Sequence, residues 1–373
     1  ISLVTIKPWS KEKNKKVNFA LNYQLFPKKS YPLKINLDKN EFEFKLDDND
    51  TYIKTKSPAA RGIIKYSFDE NQKKTFSGSF EYIDIKYFSK DMPMDYFPTI
   101  DIQSKHVRTS DTIFDNVHLI LTPKDGYIEI SKLDFKNINI EMKSTGKWFV
   151  KDNQSTEIIS NIKSDNFGAA LKGIGYPNTI RGGKMNASIK SKWPGSLEEF
   201  SFASSDAKIK MKIKDGQINE LDKGTQAIGQ VLGLLSIASI PKRLSLDFSD
   251  FFSKGLSFDD LESEIVLNSG TADINKMIIK GSFGEMRLSG ESNLVNRTHN
   301  QTLIFIPDLS STSLVTGAVI GGPIGAAASI FYDKLLKEFG VDTNKLAGIE
   351  YSIRGSWDNP EIKVTQSFKP ILN

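Results

Sequence analysis

Three histidines, His106, His118 and His299, are the only imidazoles available for acid–base or metal chemistry. None has a second ligand at the spacing of a metal helix such as H-E-x-x-H, so each reads as a strand-surface or partner residue. There are no cysteines, which removes thiolate nucleophiles, disulfides and Cys-based metal sites. Asp47, Asp48 and Asp50 imitate part of a calcium loop but lack its glycine and its distal glutamate, so a solvated hairpin turn is expected there. Asp259, Asp260, Glu262 and Glu264 alternate along one segment, and nothing fixes two of them at a glycosidase separation. No G-x-S-x-G, Walker loop or dinucleotide fingerprint is present. Gly173-Ile174-Gly175 and Gly281-Ser282-Phe283-Gly284 sit among strand patterns, where they mark bulges or close backbone approach. The sequons at Asn296 and Asn300 matter only in a eukaryotic secreted protein. The residues therefore predict no enzyme, no cofactor and no metal.

The elements that carry these residues are dominated by alternation. Phe19, Leu21, Tyr23 and Leu25 sit two apart, as do Phe42, Phe44 and Leu46; Ile138, Ile140 and Met142; Ile209, Met211 and Ile213; Leu244, Leu246 and Phe248; Met286 and Leu288; and Leu303 and Phe305. Between them stand mainly Lys, Asp, Glu, Asn and Ser. Period two gives each strand one apolar and one wet face. The polar clusters Asp47–Asp50, Asp69–Gln72, Lys124-Asp125-Gly126 and Lys214-Asp215-Gly216 are turn chemistry. The expectation is a long antiparallel meander, mainly β, with one face covered and one solvated. A sheet of this length must close, split or fold over. Periodicity leaves a barrel, a sandwich and an open trough in competition.

Two segments break the alternation. Asp222 to Ile240 has Ile228, Leu232 and Leu235 at helical spacing, with Asp222 as N-cap and Pro241 as stop. Leu314 to Tyr332 carries no charge and is nearly long enough to span a bilayer, yet Gly321-Gly322-Pro323 breaks its centre. Two short helices lying on or plugging an apolar surface, interfacial insertion and a spanning helix are its three readings; helices are placed near 222–240 and 313–339. Trp193-Pro194 and Trp357 with Pro360 both end a strand with Trp and turn through Pro, and a boundary is set at Pro194, giving segments 1–194 and 195–373.

Hydrophobic residues make up 39% of the 373 residues and charged residues 25%, a foldable balance. The net charge is +5, mostly from Lys interspersed with Asp and Glu. That pattern fits a solvated outer face, with a weak attraction to anionic headgroups, and not a nucleic-acid reader. Ile1 in place of Met points to a piece of a longer chain, with any targeting or anchoring segment upstream.

The second half carries a signature: Lys192-Trp193-Pro194-Gly195, Gly229 to Ser236, the run Ile240-Pro241-Lys242-Arg243-Leu244-Ser245-Leu246 through Gly255, Phe258-Asp259, Gly317 to Gly325, and Tyr351 to Pro360. In order and spacing it resembles the C-terminal region of the AsmA-like, YhdP-type proteins of Gram-negative envelopes, over about Trp193 to Ile362. The resemblance implies a periplasmic β domain folded into an open, taco-like groove with an apolar interior, anchored to the inner membrane by an upstream helix. It implies phospholipid as the partner, moved between inner and outer membranes, with no nucleic acid.

On that reading the acyl-chain lining is Phe19, Leu21, Tyr23, Phe42, Phe44, Ile138, Ile140, Ile209, Met211, Ile213, Leu244 and Leu246. Leu314, Val315, Val319, Ile320, Ile324, Ile330 and Phe331 cap the groove or touch the outer membrane. The alternative is a sealed β scaffold for envelope proteins or outer-membrane assembly, since the same inward residues can fill a core.

Overall fold

The computed structural model describes residues 18–23, 33–47, 50–68, 74–85, 97–109, 113–151, 153–173, 180–218, 256–307, 348–357 and 360–367. They form nineteen strands in one open sheet that is not closed into a barrel. The strands are β1 Phe19–Tyr23, β2 Leu33–Leu37, β3 Asn40–Asp47, β4 Asp50–Lys56, β5 Ala60–Phe68, β6 Lys74–Asp84, β7 Thr99–Arg108, β8 Ile113–Lys124, β9 Tyr127–Lys136 and β10 Glu141–Phe149. They continue as β11 Ser155–Ser164, β12 Ile180–Pro194, β13 Asp206–Ile218, β14 Leu256–Asn268, β15 Thr271–Gly281, β16 Gly284–Asn293, β17 Thr298–Pro307, β18 Ile349–Ser356 and β19 Pro360–Ser367. One helix, α1 Phe167–Gly173, lies between β11 and β12.

The chain divides into two compact units: residues 1–161 with 194–199, and residues 162–193 with 200–373. In the first unit β1 to β6 pair antiparallel in sequence order, and β7 to β10 do the same. β6 and β7 run parallel, with Asp84 opposite Arg108. The meander thus has one parallel step that alternation could not register, because period two is the same for both pairings. At that step Asp84 is 1% exposed and meets the Arg108 guanidinium at 3.6 Å. In the second unit β12 to β19 are antiparallel throughout.

Turn chemistry explains the hairpins. Asp125 and Gly126 join β8 to β9 with Gly126 at φ +81°, a region open to glycine without steric cost. The structure differs from the sequence reading at two places. Ile138 and Ile140 lie in the β9–β10 turn and not in a strand, because Asn137 Oδ1 accepts the backbone N–H groups of Asn139 and Ile140 at 2.9 Å each. Such an Asx turn offers the backbone a local alternative to the ladder. Lys214-Asp215-Gly216 does not end a strand: β13 runs on to Ile218 through Asp215 at φ +54°. Gly216 is accommodated there because the tip of the Phe258 ring comes against it, leaving no room for a Cβ.

Trp193 ends β12 as the sequence suggests, buried edge-on against Phe200. Gly195 then donates its N–H to Gln154 and accepts the Thr156 hydroxyl. Trp357 follows β18 and stacks on His299 with Arg297 over the ring. The helix α1 is absent from the sequence reading. Its signal is Asn166, whose side chain accepts the Ala169 N–H as an N-cap. The expected helices near 222–240 and 313–339 lie outside the described residues.

Candidate functional site

The register lines up the apolar residues of the first unit in rows that cross the strands. One row is Tyr23, Leu33, Phe44, Ile53, Ile64, Gly78, Ile102, Leu119 and Leu133, one residue from each strand from β1 to β9. Flanking it, Leu21, Ile35, Phe42 and Phe80 stand in a second row, and Tyr66, Phe76, Ile100 and Leu121 in a third. At ~4.8 Å per strand, eight steps make an apolar band roughly 38 Å long.

This band is only partly covered. Leu33, Phe42, Phe44, Ile53, Phe76, Ile100, Ile102, Leu119 and Leu133 are half-buried, while Ile64 and Phe80 are buried. At the β1 end Phe19, Leu21 and Tyr23 are 64%, 56% and 61% exposed. Burial deepens at β8 and β9, where Leu121, Ile128 and Ile130 are sealed. Contiguous apolar area of this length is uncommon on the surface of a monomer.

Phe80 shapes the middle of the band. Its ring lies over Gly62 on β5 and Gly78 on its own strand, where no Cβ fits. The aromatic ring fills the space of two missing side chains and keeps the face low. Thr55 and Ser104, in the same row as Phe80, are buried polar groups on this face; the Ser104 hydroxyl donates to the His106 carbonyl.

In the second unit the same alternation gives a different result. Met185, Ile213, Leu261, Ile279, Met286 and Phe305 form one cross-strand row, and none exceeds 4% exposure. The next row, Ser263, Met277, Leu288, Leu303 and Tyr351, is equally buried. Ile209 and Met211 are half-buried and pack against this core from β13.

The sequence-selected residues therefore fall into distinct places. Phe42 and Phe44 sit in the half-open band, with Phe19, Leu21 and Tyr23 at its exposed end. Ile138 is 94% exposed in a turn and Ile140 is half-buried beside it. Ile213 is at 0% exposure in the second unit's core. Leu244, Leu246 and all seven residues from Leu314 to Phe331 lie outside the described residues. Sequence reading omitted Leu33, Ile53, Ile102 and Leu119, which alternate as clearly as those chosen; cross-strand register was the missing signal.

Among the described residues two histidines pair with carboxylates and two buried groups are shifted by burial. His106 and His118 meet Asp115 and Asp101 at 2.8 and 2.9 Å on the surface. Burial pushes His299 down to about 4, and its Nδ1 has no partner among the described residues. Burial likewise pushes the Tyr351 hydroxyl up to about 12. Desolvation with no orienting charge marks packing residues, whereas an acid–base pair needs a second group to hold it. Among the described residues no cluster of His and carboxylates has the geometry of a metal site. No helix among them is long and apolar enough to cross a membrane.

An open, mainly β sheet with a long, half-exposed apolar face is the class that fold and site define. The chain belongs to the YhdP family, whose model, described as "YhdP protein", matches residues 30–362. It is similar to the "Intermembrane phospholipid transporter YhdP" of Escherichia coli (strain K12), 27% identical over 222 residues. That match covers 59% of this chain and 17% of the relative, so the chain spans a small part of its relative's length. No solved structure matches the chain.

Proposed function

We propose that this chain is a non-catalytic segment of a bridge-like lipid-transfer protein, carrying phospholipid acyl chains along the apolar band of its first unit. The observation that carries the reading is the cross-strand row from Tyr23 to Leu133, apolar at every strand but β6 and only partly covered. Leaving a tail of about sixteen carbons in water costs roughly 12 kcal/mol at ~0.8 kcal/mol per methylene. A face of half-buried Phe, Ile and Leu replaces that water all along the path, and no chemistry is required of it. The phospholipid named for the relative supplies the cargo. The setting we assign is a periplasmic path between inner and outer membrane, with an upstream inner-membrane anchor; the relative's name, an intermembrane transporter, supports it. The Leu314–Phe331 segment is assigned to capping the groove or touching the outer membrane.

The lining is assigned to Phe42 and Phe44, with Phe19, Leu21 and Tyr23 at the entrance; Ile209 and Met211 belong with the second unit's core. The sealed-scaffold alternative is favoured by one observation, the closed core around Ile213 and Leu261, and it applies to the second unit. Photo-crosslinking separates the two. A photoreactive residue at Phe44 or Ile53 captures phospholipid in the envelope, while one at Met277 captures only protein. Protein-only adducts at Phe44 and Ile53 overturn the transport reading.

A further inference from the structure

On the outward face of the second unit β12 and β13 place lysines against lysines. The register sets Lys190 directly opposite Lys208 and Lys184 directly opposite Lys214. All four are exposed. Lys214 reaches Asp260 at 3.9 Å, Lys212 reaches Glu262 at 2.7 Å and Lys210 reaches Glu264 at 3.2 Å, so β14 neutralises its own neighbour. Lys208 faces Val266 on β14 and gains no carboxylate. Lys184, Lys190 and Lys208 have no ion pair among the described residues. Directly opposed like charges destabilise a sheet. Among the described residues Lys184, Lys190 and Lys208 find no carboxylate to offset that cost.

We infer that this lysine face docks on an anionic membrane surface. The charge is complementary to phosphate headgroups, and the chemistry favours a membrane over a protein. The outward positions between the lysines are Asn186 and Ser188, small polar residues with no aromatic or aliphatic anchor. Protein interfaces depend on such buried anchors. Lysine acts as a strongly hydrated point charge and suits a diffuse field of headgroups better than a shaped partner. The inference is independent of acyl-chain carriage, which is assigned to the other unit.

Flotation of the full 373-residue chain with vesicles tests it. Binding is expected to vesicles of phosphatidylcholine with 30% phosphatidylglycerol and not to pure phosphatidylcholine, falling steeply between low and high salt. The triple variant Lys184→Gln, Lys190→Gln, Lys208→Gln loses about fivefold per lysine. Removing Lys39, Lys105 and Lys172, exposed elsewhere, changes binding far less. A second readout separates docking from structure: the triple variant melts about 1–3 °C higher, because the Lys–Lys repulsion is gone. Equal binding of wild type and triple variant overturns the inference, as does equal binding to both vesicle types. Binding to soluble polyglutamate with no binding to vesicles also overturns it, and assigns the face to an acidic protein.

Discussion

The two units use the same pattern and bury it differently. Residues 42–54 read FEFKLDDNDTYIK and residues 207–214 read AKIKMKIK, apolar at every second position from Phe42 to Leu46 and from Ala207 to Ile213. Yet Phe44 and Ile53 remain half-buried, whereas Ile213 and its neighbour Leu261 are at 0% exposure. Alternation sorts side chains to a face; it does not cover that face. A half-open row is suited to exchange apolar ligands, and a closed row holds the sheet together. Under the proposed function, carriage falls to the first unit and stability to the second.

Truncation of the core breaks or sharpens that contrast most strongly. Leu261→Ala should destabilise by about 3–4 kcal/mol, since a sealed site retains a cavity, and Leu119→Ala by about 1–2 kcal/mol, since its site already meets solvent. Urea unfolding with hydrogen exchange to localise the loss measures both, and equal costs would erase the distinction.

A pH titration comes next. His299 has its imidazole held below the ordinary 6.5, at about 4, so the neutral form is the one that the fold accepts. Its contribution is complete above about pH 6.5 and is lost as pH falls toward 4, by ~3 kcal/mol in total. His299→Phe should flatten this slope in stability between pH 7 and 4. A slope unchanged in the variant assigns it to other groups.

Glycine substitutions give a smaller difference. Gly290 has φ +106° and a Cβ there would stand 2.5 Å from the Asn300 carbonyl oxygen, so Gly290→Ala strains backbone against backbone and costs about 2 kcal/mol. At Gly78 the obstacle is the far edge of the Phe80 ring, a side chain and not backbone. Gly78→Ala should cost about 1 kcal/mol or less in stability and instead lower lipid crosslinking at Phe44. Thermal melts and crosslink yields read the two effects separately.

The smallest effect is expected on the solvated face. The Lys212 ammonium donates to Glu262, which lowers the carboxyl and raises the amine from their ordinary values. Both side chains are exposed, so screening leaves little net stability. Lys212→Ala should leave the urea midpoint unchanged within error in 0.3 M salt.

Much of the fold was legible from residue order. Alternation located β3, β13, β16 and β17, and Asp125-Gly126 located a turn, because these depend on near neighbours. Ile138 and Asp215 misled for the same reason read in reverse. A short-range cue such as an apolar residue two positions away, or an Asp-Gly pair, was overridden by Asn137 capping its own turn and by the Phe258 ring from another strand. The candidate site was less legible: Phe42 and Phe44 stood out, while Ile53, Ile102 and Leu119 became part of it only once five strands were aligned.

By itself the sequence determined that this protein is a β meander with one oily and one charged face and no thiols. Period two and residue chemistry are local properties and need no fold to act. Tertiary structure alone decided which oily rows stay open, where the parallel step falls and which lysines oppose each other. Those depend on what stands across the sheet, often fifty or more residues away in the chain, and no local pattern encodes the partner.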